Sequence, residues 1–480
     1  MGLRHPLDCD SDSLASEASR RQQHFAGCGI HVDVMVDKSR VGLSEIVTHC
    51  LVTQNLLQCL NPSSWNRFMI FRLLIAVAVL LFSVFASAQV VSPETESRDP
   101  QLTLPLVDEL PNIAELPNPF IFLDGTEVNT RQDWLRRRAE MKAMVLHYQF
   151  GNAPALPLPD TIDSEILSET EVLDGQAIKR SVRLRFGPGG AISLSLGLHV
   201  PKSGTGPFPV IVHNSPGTFE VEDTIVADLV RRGYMLVSYQ RTDLHPDWGK
   251  NPEAKKRRDC GDARRAYPKF DWGCLRVWAW GGSVTINWLS TLPEADLTKI
   301  VCTGHSRGGQ TAALMGMIDE RVAVVAPNAG GSITTGCHRV GNKTRSIKDK
   351  MASGNAYWFH PNLTPFGDRE TKLPFDLHFI KAAVAPRAWF NSNGLGDKLN
   401  VEGSMVTWRA ARVVYEWLGV KQRCAQWYRD GDHDQGEKDW KALADFSDFI
   451  FFDKPLPDPK AFYQEPWPDI PRHFSWKAPQ

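Results

Sequence analysis

Two neighbouring segments, residues 178–186 and 191–200, alternate apolar and polar positions with period two, and Gly187-Pro188-Gly189-Gly190 separates them. That pattern predicts an antiparallel hairpin with one face in the core. Further along, alternation gives way to short, mostly apolar runs at 209–214, 234–239, 299–302, 322–327, 387–392 and 424–428. Runs of this length, closed by turn residues, predict strands buried on both faces. Helix-forming stretches lie between them: one ending at Arg232, then 275–289, a run beginning at Gln310, 402–418 and 438–449. Upstream, 129–149 carries Trp134, Leu135, Ala139, Met141, Met144 and Val145 at roughly helical spacing. A hairpin followed by alternating strands and helices predicts an α/β architecture, a mostly parallel central sheet sandwiched by helices.

The run at 299–302 leads into Gly304-His305-Ser306-Arg307-Gly308, a Gly-x-Ser-x-Gly turn between a strand and a helix. In an α/β-hydrolase fold this turn strains the serine backbone and exposes its hydroxyl at a helix N-terminus, where backbone N–H groups face a developing oxyanion. Ser306 is therefore the candidate nucleophile. It needs a base, and the base needs a carboxylate to fix its tautomer; in this fold they follow in the order serine, acid, histidine. His433 lies in the turn Asp430-Gly431-Asp432-His433-Asp434 after the last strand, where the base belongs. Asp397 closes the loop after the strand at 387–392 and is the candidate acid. Asp432 and Asp434 sit too close to the histidine in sequence to orient it, and Glu402 opens the next helix. His305 is expected to point away from the serine, because side chains of adjacent residues diverge.

The 480-residue chain has a formal net charge of -1, which gives no electrostatic case for nucleic acid. The short cluster Lys255-Lys256-Arg257-Arg258 reads as a solvated loop. Residues 1–68 hold four of the nine cysteines and no periodic element, and are expected to be an upstream segment outside the mature protein. A basic start around Arg67 and Arg72, an apolar core at 73–82 and Ala86-Ser87-Ala88 describe a signal peptide over 69–88, with Met69 as the true start. The mature chain is then secreted or periplasmic, without stable membrane association. A proline- and acid-rich arm over 89–128 precedes a catalytic domain over 129–455, and a tail over 456–480 follows. Export makes disulfides plausible, with Cys260–Cys274 and Cys337–Cys424 as the pairings to test, and Cys302 as a core thiol. No spacing suggests a metal site, and no cofactor is implied.

Several short motifs occur in one order: Asp271-Trp272-Gly273, Trp278-Ala279-Trp280-Gly281, Gly304-His305-Ser306-Arg307-Gly308-Gly309, Asp319-Glu320-Arg321, Leu373-Pro374-Phe375-Asp376, Ala385-Pro386-Arg387 and Gly431-Asp432-His433-Asp434. Over residues 130–455 the chain resembles the glucuronoyl esterases, the fifteenth family of carbohydrate esterases, and particularly their bacterial branch. The resemblance implies a secreted, cofactor-free serine hydrolase that cleaves esters between glucuronic acid of xylan and lignin alcohols; a monomer is the expected state. It implies further that the Arg307 side chain joins its backbone N–H in the oxyanion hole, and that Gln310 and Trp358 contact the sugar. Two positions depart from the family pattern. Ala329 stands where many members carry a catalytic glutamate, which moves the acid to Asp397, and Gln310 replaces a lysine. The other readings are an acetyl xylan esterase, a peptidase of the prolyl oligopeptidase type, for which 89–200 leaves no room for a propeller, and a non-catalytic carbohydrate-binding relative.

Overall fold

The computed structural model describes residues 103–247, 261–340 and 346–480. The described residues all belong to one unit of the chain, Val91–Gln480. The upstream segment, the expected signal peptide and the basic cluster at 255–258 lie outside them.

The core of this unit is a sheet of nine strands among the described residues: β1 (Asp163–Val172), β2 (Ala177–Phe186), β3 (Ile192–Pro201), β4 (Phe208–Ser215), β5 (Met235–Gln240), β6 (Ala295–His305), β7 (Val322–Asn328), β8 (Ala388–Gly394) and β9 (Cys424–Arg429). Their spatial order is β1-β2-β3-β5-β4-β6-β7-β8-β9. The first three strands and β5 pair antiparallel, and every later pairing is parallel. This is the α/β-hydrolase arrangement expected from the chain order of strands and helices. β1 had no signal in the sequence: its first nine residues are exposed and largely polar, and its backbone pairing to β2 holds it on the sheet edge.

The parallel strands carry apolar residues on both faces because helices cover both. On one side Ile300 and Cys302 pack with α3 (Cys274–Leu289), α4 (Arg307–Ile318) and α5 (His378–Val384), beyond which lies α1 (Arg131–Val145). On the other, Val301 packs with Ile211, Val324 and Phe390 under α2 (Asp223–Arg231) and α7 (Glu437–Phe452). α6 (Val401–Trp417) connects β8 to β9. Every residue of α3 is buried, which accounts for its lack of a polar face. The segments flanking the predicted catalytic domain also contribute to packing, with Phe120 ringed by Trp134, Trp417 and Trp476.

The Cys337–Cys424 disulfide is not formed. The Cys337 thiol lies 3.4 Å from Asp376 Oδ2, and Cys424 is a separate buried thiol in β9. Cys274 is a buried thiol too, while its suggested partner Cys260 lies outside the described residues.

Candidate active site

Parallel strands bring their carboxyl ends to one edge of the sheet, where an α/β fold places its ligands. In register there, His305 of β6 lies beside Asn328 of β7, and Asn328 beside Ser392 of β8. Ser306 follows β6 directly, with φ 55° and ψ -115°, the strained backbone expected of a nucleophile elbow. Its N–H donates to the Asn328 carbonyl at 3.0 Å, and its own carbonyl accepts the Gln310 N–H at 2.9 Å, so the serine caps α4. A Cβ on Gly304 would fall 2.8 Å from the Gly308 backbone, and one on Gly308 would fall 2.9 Å from the Asn214 carbonyl. The motif's glycines are thus required by close approach, both within the turn and against Asn214 of neighbouring β4.

The loops after β8 and β9 interlock beside this elbow. Leu395 N–H donates to the Arg429 carbonyl at 2.8 Å, and Gly396 N–H donates to the Gly431 carbonyl at 2.9 Å. Within this junction His433 Nδ1 lies 2.8 Å from Asp397 Oδ2. The carboxylate only accepts, so Nδ1 donates and Nε2 keeps its lone pair for use as a base. Asp397 is fully buried, its other oxygen accepting the Leu399 N–H at 2.9 Å, whereas the His433 side chain is 34% exposed. No hydrogen bond joins Ser306 Oγ to His433 among the described residues, although the ring of neighbouring His305 lies 4.4 Å from that of His433. Ala329, where the resemblance places a glutamate, has φ 51° and donates its N–H to the Ser392 carbonyl. Its methyl group offers no carboxylate.

Arg307 Nη1 donates to Asp247 Oδ1 at 2.7 Å. The Asp247 side chain is only 8% exposed and also accepts from Tyr357 at 3.2 Å and from Arg241 at 3.4 Å. The guanidinium is therefore held at one terminal nitrogen by a shielded anion, while the Arg307 side chain itself stays 35% exposed. Gln310 is buried on the first turns of α4, and Trp358 is buried in a short 3₁₀ turn, Ala356–Trp358. Gln310 Oε1 finds no hydrogen-bond partner among the described residues.

Asp247 escaped the sequence reading, as did the polar residues at the strand ends. A signal was present: Asn328 and Ser392 interrupt apolar runs at their carboxyl ends, where a fold of this type concentrates function. His305 does not point away from the site. The left-handed φ of Ser306 ends the strand alternation, and the His305 ring lies against His433.

The family described as "Glucuronyl esterase, fungi" matches residues 187–419. Among characterised proteins, the chain is 24% identical over 392 residues to a carbohydrate esterase, MZ0003, from an unknown prokaryotic organism, covering 69% of this chain and 89% of that one. It is 28% identical over 358 residues to the 4-O-methyl-glucuronoyl methylesterase of Podospora anserina, covering 69% of this chain and 68% of the other. Among solved structures, a carbohydrate esterase family 15 glucuronoyl esterase from Caldicellulosiruptor kristjansonii superposes with a TM-score of 0.62 at 27% identity, over 77% of this chain and 98% of that one.

Proposed function

We infer that this chain, a member of the glucuronoyl esterase family, is a serine carboxylesterase that cleaves esters of 4-O-methyl-glucuronic acid, the linkage between xylan and lignin alcohols. The observation that carries this reading is the pairing of His433 with buried Asp397 beside the Ser306 elbow.

The reaction is two-step acyl transfer. Ser306 attacks the ester carbonyl while His433 Nε2 takes its proton, and Asp397 stabilises the imidazolium. The oxyanion forms at the N-terminus of α4, where the first-turn N–H groups lack intrahelical partners and the Arg307 guanidinium adds a positive charge. His433 returns the proton to the departing alcohol, then activates water to release the uronic acid. Burial of Asp397 favours this division of labour, since a carboxylate shielded from water acts on its one charged partner. Gln310 and Trp358 are the residues proposed to meet the sugar; both are buried, so contact requires their side chains to turn toward the bound ring. No helix among the described residues is long and apolar enough to cross a membrane. The signal peptide read at 69–88 supports an exported enzyme acting on an extracellular or periplasmic polymer.

The test is paired hydrolysis by the chain beginning near Gln89: benzyl glucuronate against an acetylated xylose. Preference for the glucuronate supports the reading. Preference for the acetate moves the protein to acetyl esterase chemistry with the same triad, and turnover of neither contradicts an esterase.

A further inference from the structure

His305 immediately precedes the nucleophile, yet the reaction as derived gives it no task. Its ring centroid lies 4.4 Å from that of His433, with the planes inclined by 48°. Its Nδ1 lies 2.6 Å from Asn328 Oδ1. The orientation of that amide is fixed on its other side, because Asn328 Nδ2 donates to Ser392 Oγ at 2.8 Å and to Asp439 Oδ1 at 3.0 Å. Asn328 Oδ1 therefore accepts, and His305 carries its proton on Nδ1.

The chain of contacts continues beyond Asn328. The second oxygen of buried Asp439 accepts Arg429 Nε at 2.7 Å and the Gly436 N–H at 3.0 Å. Arg429 Nη2 donates to the carbonyls of Asp434 at 2.7 Å and Asp432 at 3.4 Å, the two residues that flank His433. One continuous network thus runs from the residue before the nucleophile to both sides of the base, while the ring at its start packs on the base itself.

We propose that His305 is a positioning residue for His433, its hydrogen-bonded ring serving as a fixed wall that keeps the base turned toward Ser306. The inference rests on the esterase reading above. His433 needs such a wall because its side chain is one-third exposed and the hydrogen bond to Asp397 restrains only one of its ring nitrogens. A bond at one atom leaves rotation about the line of that bond, and a packed ring face removes it. The titratable groups around His305 are His433 and Asp434 on the β9 loop, Asp397 on the β8 loop and His213 on β4. Burial holds the His305 ring below the ordinary histidine range. It therefore stays neutral and does not oppose the imidazolium that forms on His433 during turnover.

The experiment compares His305→Ala and His305→Phe with the unaltered protein, in kcat and KM for methyl glucuronate and in the rate at which phenylmethylsulfonyl fluoride modifies Ser306. The sulfonylation rate reports the serine–histidine pair whatever the natural substrate is. His305→Ala is expected to lower kcat and the sulfonylation rate by about tenfold or more, with KM within about twofold, as a misoriented base does. His305→Phe restores a flat neutral ring and is expected to recover most of both rates; it also serves if the alanine variant does not fold. Wild-type rates in His305→Ala, or equal impairment in two folded variants, would overturn the proposal. Sulfonylation of Ser306 without turnover of methyl glucuronate would contradict the substrate reading alone, and the variants would still report on His305 through sulfonylation. No sulfonylation of the unaltered protein would overturn both.

Discussion

The Arg307 guanidinium donates to Asp247 Oδ1 at 2.7 Å, from the residue next to Ser306 to an aspartate in the loop that follows β5. The Asp247 carboxylate is shielded and shared with Tyr357 and Arg241, so it fixes the position of a cation that a flexible arginine would otherwise carry over many rotamers. Replacing Arg307 with alanine is expected to lower kcat by roughly 10²–10³, the range for loss of one oxyanion donor. Asp247→Ala keeps the cation but releases it, and is expected to lower kcat by a smaller factor, about tenfold, with KM little changed. Steady-state kinetics on a glucuronate ester separate the two; an Asp247→Ala variant with wild-type kcat would dissociate this ion pair from catalysis.

Asp397→Asn retains the shape of the acid and removes its charge. The amide can present its N–H₂ to His433 Nδ1 and reverse the tautomer, leaving Nε2 protonated and unable to act as a base. A fall in kcat of about 10²–10⁴ is expected, with Tm changed little. An undiminished kcat would assign the acid to another residue.

Gly394 tests the junction that brings acid and base together. A Cβ there would lie 2.2 Å from the Asp432 carbonyl oxygen and 2.5 Å from that of Gly431, both backbone atoms of the His433 turn. Gly394→Ala must push that turn away. It is expected to cost about 1–3 kcal/mol of stability by overpacking and to reduce kcat by at least roughly tenfold through displacement of His433. Denaturant titration and kinetics on the same preparation check both.

Glu320 links helices rather than substrates. It pairs with Arg138 and Lys142 of α1, and lies 3.1 Å from Arg387. Burial pushes its carboxyl pKa up, but the three cations prevail and hold it down at about 2, against 4.5 for the free side chain. Because the folded value is the lower one, the stabilisation is complete above pH 4.5 and disappears as the pH falls toward 2; it amounts to on the order of 3 kcal/mol. Glu320→Gln is therefore expected to lower stability at pH 7 and to converge with the wild type as acid is added. Urea unfolding at pH 7 and pH 3 measures the difference, and a constant gap would contradict the assignment.

The residues proposed to carry the chemistry could be picked from the sequence because each lies where the fold restricts the choice. Ser306 sits in a turn that only small neighbours permit, and Asp397 and His433 follow the last two strands in the order the fold imposes. The parallel strands were legible from continuous apolar runs, since helices cover both faces of the sheet. β1 was not, because an exposed edge strand is held by backbone hydrogen bonds that leave no apolar pattern. The direction of His305 was hidden by the reversal of φ at Ser306, which strand alternation does not anticipate. Asp247 reaches Arg307 across 60 residues, and spacing alone carries no information about such a contact. The proposed Cys337–Cys424 bond failed for the same reason: both residues are buried, but in different surroundings.

The central claim is that Ser306 forms the acyl-enzyme. The most direct measurement is kcat for methyl 4-O-methyl-glucuronate hydrolysis by the wild type and by Ser306→Ala, with fold checked by circular dichroism. The account predicts a loss on the order of 10⁴–10⁶ in a folded variant; turnover by Ser306→Ala at the wild-type rate would contradict it.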